Sequence, residues 1–179
     1  MKGINRLPIA FMVIGFALAS VPGWRGQAQT ETAPVPAPIV YGKKAFISNA
    51  GGGCSPLGSV GRVGFSGGPN RAYNQFTAAL KGWGRYELVS APADADLAFE
   101  ISLPCPAAGV SVLKGDSMGP IYDPQLRLGI VDVKTRITLW VITEHVQFAF
   151  RPANLDKNFD EAMSKLMDDL KRLVAGTSQ

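Results

Sequence analysis

The sequence predicts a single α/β (α+β) domain: a mixed four- to five-stranded sheet with an antiparallel hairpin and two main helices packed on it. Three observations predict it. Leu97, Phe99, Ile101 and Leu103 alternate with Ala98, Glu100 and Ser102, the pattern of a half-buried strand. Tyr73, Phe76, Leu80 and Trp83, and later Phe159, Met163, Leu166, Leu170 and Leu173, recur at spacings of three and four, one face of a helix. The order is strand, helix, four strands, helix, which implies helices laid on a mixed sheet.

The chain before the domain reads as an export leader. Lys2 and Arg6 form a basic start, and Leu7 to Val21 is apolar apart from Pro8, Gly15 and Ser20. That run is about 15 residues, short of the about 20 that span a bilayer. Pro22-Gly23 breaks it, and Gly26-Gln27-Ala28 offers small residues for cleavage after Ala28; Ala17-Leu18-Ala19 is a second candidate inside the apolar run. Residues 1–28 are therefore expected to be a signal peptide. Residues 29–39, with Pro34, Pro36 and Pro38 among small residues, are expected to be an extended linker. Residues 40–179 form the single domain, with no further segment long enough to span a membrane.

Within the domain, Lys44–Ser48 is the first strand. Residues 49–69 are rich in Gly and Ser and predict a long loop. Asn70 caps a helix that runs to Trp83, and Gly82 and Gly84 stop it. Arg85–Ser90 is the next strand, followed by the alternating strand from Leu97. Residues 104–124 carry Pro104, Pro106, Gly109, Gly115, Gly119, Pro120 and Pro124 and predict a second long loop. Gln125–Val133 and Ile137–Phe148 pair as an antiparallel hairpin through a turn at Lys134-Thr135. Leu139-Trp140-Val141-Ile142 is apolar on both sides, which predicts a central strand covered on both faces. The final helix carries Glu161 with Lys165 and Asp168 with Arg172 as i,i+4 pairs, and Gly176 follows it.

Charge narrows the function. The full chain has 18 basic and 14 acidic residues and a net charge of +4. The leader holds Lys2, Arg6 and Arg25 and no acid, leaving 15 basic against 14 acidic residues and a net +1. No concentrated basic face is present, so no nucleic-acid partner is expected. Cys54 and Cys105 remain after cleavage. In an oxidising compartment an even pair reads as one disulfide.

The only catalytic-looking string is Gly64-Phe65-Ser66-Gly67-Gly68, which fits the G-x-S-x-G turn of a nucleophilic serine, and Asp132 and His145 follow in hydrolase order. Against it stand the small domain, the weak strand before Ser66 and the position of His145 inside a strand. A plain glycine loop is the reading preferred, with no catalytic residues. Glu144 and His145 are neighbours in a strand and point to opposite faces, so they make no dyad. One histidine and two distant cysteines make a poor zinc set, so no metal is expected, and no phosphate-binding glycine motif supports a cofactor. Asp94 and Asp96 read as a turn entering a strand. Trp83, Arg85 and Tyr86 interleave basic and aromatic character and are weak candidates for stacking on a sugar; packing at the helix end is the alternative.

Several stretches resemble a group of small, exported, uncharacterised bacterial proteins: Phe46-Ile47-Ser48-Asn49, Trp83-Gly84-Arg85-Tyr86-Glu87-Leu88-Val89, Ala93-Asp94-Ala95-Asp96-Leu97, Asp123-Pro124-Gln125-Leu126-Arg127-Leu128, Thr138-Leu139-Trp140, Thr143-Glu144-His145-Val146-Gln147 and Asp156-Lys157-Asn158-Phe159-Asp160. The layout is also similar to the amino-terminal domain of TolB and to CsgG-like secretion lipoproteins, with Tyr86–Val89, Ala95–Ile101 and Leu128–Trp140 in corresponding roles. The chain departs from that pattern in having no lipidation cysteine, no propeller repeats and no pore-forming hairpin identified from sequence. The resemblance implies a fold and brings no activity with it. The expectation is a non-enzymatic periplasmic or secreted module that binds or scaffolds an envelope protein or glycan. The alternatives are a serine hydrolase using Ser66 and a saccharide- or peptidoglycan-binding module using Trp83 and Tyr86.

Overall fold

The computed structural model describes residues 33–53, 65–113, 116–149 and 151–176. Among these residues the α-helices and β-strands follow in order: α1 (Ala37–Tyr41), β1 (Lys44–Asn49), α2 (Arg71–Trp83), β2 (Glu87–Leu88), β3 (Leu97–Ser102), β4 (Ala107–Leu113), β5 (Asp116–Tyr122), β6 (Gln125–Asp132), β7 (Thr138–His145) and α3 (Pro152–Val174). The expected leader lies outside the described residues.

Five strands form one open mixed sheet in the order β2-β1-β3-β6-β7. β1 is parallel to both β2 and β3, and α2 lies in the connection from β1 to β2, as parallel neighbours require. β3, β6 and β7 are successively antiparallel. Strand alternation sends Ala45, Ile47, Leu97, Phe99, Ile101, Leu126, Leu128, Ile130 and Ile142 to one side, and all are buried. α2 packs there on β1 and β3, α3 packs on β6 and β7, and the two helices touch. Phe76 and Leu80 of α2 and Leu155, Phe159, Leu166 and Leu170 of α3 are fully buried. α1 meets α3 and adds Ile39, also fully buried, so packed structure is present inside the stretch read as linker.

Four local expectations change. Residues 104–124 are not a loop. They contain β4 and β5, a separate two-stranded antiparallel ribbon. Its glycines and prolines hid it: Pro120, which has no N–H to give to a ladder, stands opposite Val110 in a ribbon whose strands each keep an unpaired outer side. β7 is not central; it is the edge of the sheet. A register shift between Ile130 and Val131 makes Trp140 face Ile130 and Thr138 face Val131, leaving Leu139 as an extra residue. Leu139 and Trp140 therefore both pack against the core, while Val141 is 40% exposed. The apolar run records a bulge rather than a strand covered on both faces. β2 shrinks to two residues. Asn70 precedes α2 but makes no side-chain cap; its Oδ1 accepts from Asn49 Nδ2 at 2.9 Å instead. α2 ends as expected, with Gly84 in the left-handed region at φ 68°.

Candidate functional site

Arg71, the first residue of α2, is the buried charge among the described residues, at 7% exposure. Its guanidinium pairs with Asp156 and, at 2.7 Å, with Asp160, two carboxylates one turn apart on α3. It also donates to the Ser66 carbonyl and hydroxyl, each at 3.2 Å, and its Cζ lies 4.3 Å from the Phe159 ring centre. The Ser66 backbone N–H donates to Asp156 at 2.9 Å, and Phe65 packs on Phe159 with ring centres 5.1 Å apart. Burial pushes the Asp156 carboxyl up, but the Ser66 amide and the Arg71 guanidinium outweigh it and hold it below the usual carboxylate range. This knot fastens the end of the glycine-rich segment to both helices.

Ser66 thus has an electrostatic anchor, its hydroxyl meeting both the Arg71 guanidinium and the Asp156 carboxylate. Asp132 is the last residue of β6, where its carboxylate accepts the N–H of Lys134 at 2.8 Å and of Thr135 at 3.5 Å in the turn to β7. His145 faces Gln125, the first residue of β6. Asp132 and His145 therefore stand at opposite ends of the hairpin, about 23 Å apart at strand rise, and neither is hydrogen-bonded to Ser66. Gly64, the first glycine of the motif, lies outside the described residues.

His145 has a different acid. Its Nδ1 lies 2.8 Å from Asp123 Oδ2 and 3.0 Å from Oδ1, and Gln125 Nε2 donates to Asp123 at 2.7 Å. This cluster sits at the neck of the ribbon, where Asp123 N–H donates to Pro106 O and Gln125 N–H to Pro104 O. Trp83, Arg85 and Tyr86 come together, but around α1. Arg85 donates to Val40 O at 2.7 Å and Gly42 O at 3.1 Å. Trp83 stands edge-on to Tyr86, and Tyr86 edge-on to Phe99 in the core. Burial pushes the Tyr86 phenol up to about 12, against the pull of Arg85. Asp96 accepts the N–H groups of Lys43 and Lys44 at 2.9 and 3.0 Å, which locks the start of β1 to β3. Asp94 lies in the turn before it, in the 3-10 helix Pro92–Asp94.

Among the described residues no group of three or more His, Cys, Asp or Glu side chains could hold a metal, and no helix is long and apolar enough to cross a membrane. A groove of about 380 Å³ runs between α2 and α3 past Ala78, Met163, Met167 and Asp168, and a smaller one of about 250 Å³ lies by Tyr41, Asp96 and Lys134. The Arg71 knot was not anticipated from sequence. Its one signal is the i,i+4 spacing of Asp156 and Asp160 around Phe159.

These features define the class: a mixed α/β domain with its helices on one face of an open sheet and a β-ribbon inserted between two neighbouring strands. No protein-family model and no curated protein matches the sequence. Solved structures similar in layout include a PelC dodecamer variant from Paraburkholderia phytofirmans, at 14% identity over 72% of this chain and 86% of that one, TM-score 0.45. A protein of Xanthomonas campestris assigned to the DUF330 family is 15% identical over 76% of this chain and 86% of that one, TM-score 0.45. An uncharacterized lipoprotein B of Nitrosomonas europaea is 10% identical over 74% and 80%, TM-score 0.34. The expected likeness to TolB and CsgG-like domains gains no support from these three, and at such scores the likeness carries no function.

Proposed function

We propose that the mature chain is a non-enzymatic module of the bacterial cell envelope that binds or scaffolds a protein partner, exported by the signal peptide of residues 1–28. The observation that carries this reading is the sheet face opposite the helices. α1, α2 and α3 all meet on the other side, leaving Phe46, Ala98, Val131 and Val141 beside Ser48, Glu100, Arg127 and Thr143, none of them buried. Sites for small ligands are concave and enclosed, and neither groove named above is lined by these residues. A surface mixing apolar and polar groups suits a protein partner. The glycan alternative is less favoured because Trp83, Arg85 and Tyr86 are engaged with one another and with α1. The hydrolase alternative is less favoured because Ser66 is anchored by Arg71 and Asp156.

The same reading keeps Cys54–Cys105 as a bridge that pins the two segments leaving the sheet. Cys54 lies outside the described residues. The support is the course of the chain up to it. β1 and β3 are parallel, with Asn49 facing Ile101. The pairing runs on past the strand ends, with Ala50 N–H donating to Ile101 O and Leu103 N–H to Gly51 O. Gly52 is at φ 96°, and a Cβ there would meet Leu103 O at 2.5 Å, so the two backbones touch two residues before each cysteine.

The test is site-specific photo-crosslinking in native cells, with the crosslinker at Val141 or Glu100 on the open face and at Asp168 on α3 as control. A discrete protein adduct from the open face alone is expected. Adducts to glycan, or none from the open face, would overturn the reading. Labelling of Ser66 by a serine-reactive phosphonate would promote the hydrolase in its place.

A further inference from the structure

The five-stranded sheet has two edges and the ribbon has two more. Three of these four are blunted in the ways folded proteins use against stray strand pairing. β2 is two residues long. The ribbon breaks its ladder with register shifts between Ala107 and Gly109 and between Ser111 and Val112, and β5 carries Pro120. β7 is different. It is eight residues long, and its register shift lies at the Thr138–Trp140 end. From Val141 to His145 it pairs regularly with β6 and contains no proline or lysine. Backbone groups alternate in direction along such a strand. Val146 N–H donates inward, to Pro124 O at 2.8 Å, in the same register that sets Glu144 opposite Leu126 and Ile142 opposite Leu128. The N–H and C=O groups of Val141, Thr143 and His145 therefore point outward, where no described strand pairs. Their side chains belong to the open face, and all three residues are exposed.

We propose that the outer edge of Val141–His145 receives an extended strand of the protein partner, which pairs with β7 as a sixth strand and widens the open face. The inference rests on the protein partner proposed above and adds how that partner is held. A row of alternating donors and acceptors is satisfied by an extended chain. Pairing of this kind draws affinity from the main chain and selectivity from alternate side chains. One side of the added strand joins Val141, Thr143 and His145 on the open face, where β-branched residues pack well beside Val141 and Thr143. Its other side lies along the flank of α3. Asn158 on that helix donates to Gln147 O at 2.8 Å, just past the end of β7, and Lys165, Asp169 and Arg172 follow it at helical spacings of seven, four and three. That stripe is polar, so the partner strand is polar on the residues that turn toward α3 and small or β-branched on those between. A second copy of this chain fits less well. α3 packs on β7, and packed helix axes need about 8–10 Å between them. Two copies joined edge to edge, with their β7 strands about 4.8 Å apart, would crowd one α3 against the other.

The experiment places a photo-crosslinker at Glu100, on the open face away from the edge, in native cells, and compares the native chain with Thr143→Pro. The proline removes one outward N–H and leaves the bonds to β6 in place. The protein adduct should fall about tenfold with the proline, and by less than about twofold with Thr143→Val, which keeps the N–H. An adduct undiminished by the proline overturns the strand addition and leaves the protein-partner reading standing. No protein adduct from Glu100 or Val141 in the native chain overturns both. Should Thr143→Pro not fold, as its melt would show, amide hydrogen exchange of the native mature chain decides. The amides of Val141, Thr143 and His145 should exchange rapidly in the isolated chain and at least about tenfold more slowly in the crosslinked complex. Rapid exchange in the complex as well would overturn the proposal. So would protection in the isolated chain together with a doubled mass, which would assign the edge to a second copy.

Discussion

Beneath α2 and α3 the sheet presents Leu97, Phe99 and Ile101 of β3 and Leu126, Leu128 and Ile130 of β6, each at 0% exposure. On its other side the same strands present Ala98, Glu100 and Ser102, and Arg127, Gly129 and Val131, none of them buried. Neighbouring residues of one strand thus meet different demands. The covered side requires large apolar side chains packed to solid density. The open side tolerates small, polar and charged residues in the same rows. The comparison teaches that folding information sits on alternate residues, and that the intervening residues are free to serve another purpose.

The largest effect should come from a matched pair of truncations across the two faces. Phe99→Ala removes a fully buried ring that touches Phe76 and Tyr86, and should lower stability by about 3–5 kcal/mol in urea denaturation. Phe46→Ala on the open face should cost about 1 kcal/mol or less. Equal losses would mean that the open face is covered in the folded protein. Next comes the bridge proposed between Cys54 and Cys105. It would close a loop of about 50 residues, for which the chain-entropy model allows roughly 4 kcal/mol as an upper bound. A non-reducing peptide map should recover the linked peptides, and melts with reductant should fall; two free thiols would remove the bridge.

Arg71→Met tests the knot between the helices. It leaves Asp156 and Asp160 without their cation, but both reach solvent, at 26% and 58% exposure, so a loss of about 2 kcal/mol is expected, below that of a fully buried pair. The Asp156 carboxyl is lowered on folding, so its contribution is present above the unfolded value and is lost as the pH falls through the folded one. The native chain should therefore lose its advantage over Arg71→Met in strong acid. The smallest effect belongs to Glu144→Gln. Because folding raises the Glu144 carboxyl, its contribution is complete below the unfolded value and disappears as the pH rises through the folded one. The glutamine variant should be slightly more stable than the native chain at pH 7 and no more stable at pH 4, measured as the shift in melting temperature.

The covered face was the legible part. β3, β6, α2 and α3 announced themselves because each buries one side, which imposes a period of two or of about 3.6 on the apolar residues. The elements without that constraint were harder to read. The ribbon of β4 and β5 pairs only with itself, so nothing forces its residues to alternate, and its glycines and prolines imitate a loop. In β7 the bulge at Leu139 shifts the period by one residue near the start of the strand, and the sum looks like a strand apolar on both sides. The Arg71 knot joins residues 85 positions apart, and no local pattern links them. Ser66, Asp132 and His145 fell in a suggestive order, but order along a chain does not constrain distance in a sheet.

The ribbon also has a consequence for how this chain can be edited. β3 and β6 are adjacent and antiparallel, with Ser102 opposite Arg127, so the chain leaves the sheet and returns to it at the same place. Gln125 N–H and Pro104 O already close the gap at 3.0 Å. β4 and β5 pair only with each other beyond that gap, while Tyr122 at the end of β5 packs back against the core. The free energy of closing a loop grows only slowly with its length. Shortening the ribbon to a tight turn, or exchanging it for a foreign hairpin of the same stagger, should leave the sheet beneath α2 and α3 intact. The insertion is thus a natural port, where the length and chemistry of an appendage can change without renegotiating the fold that carries it.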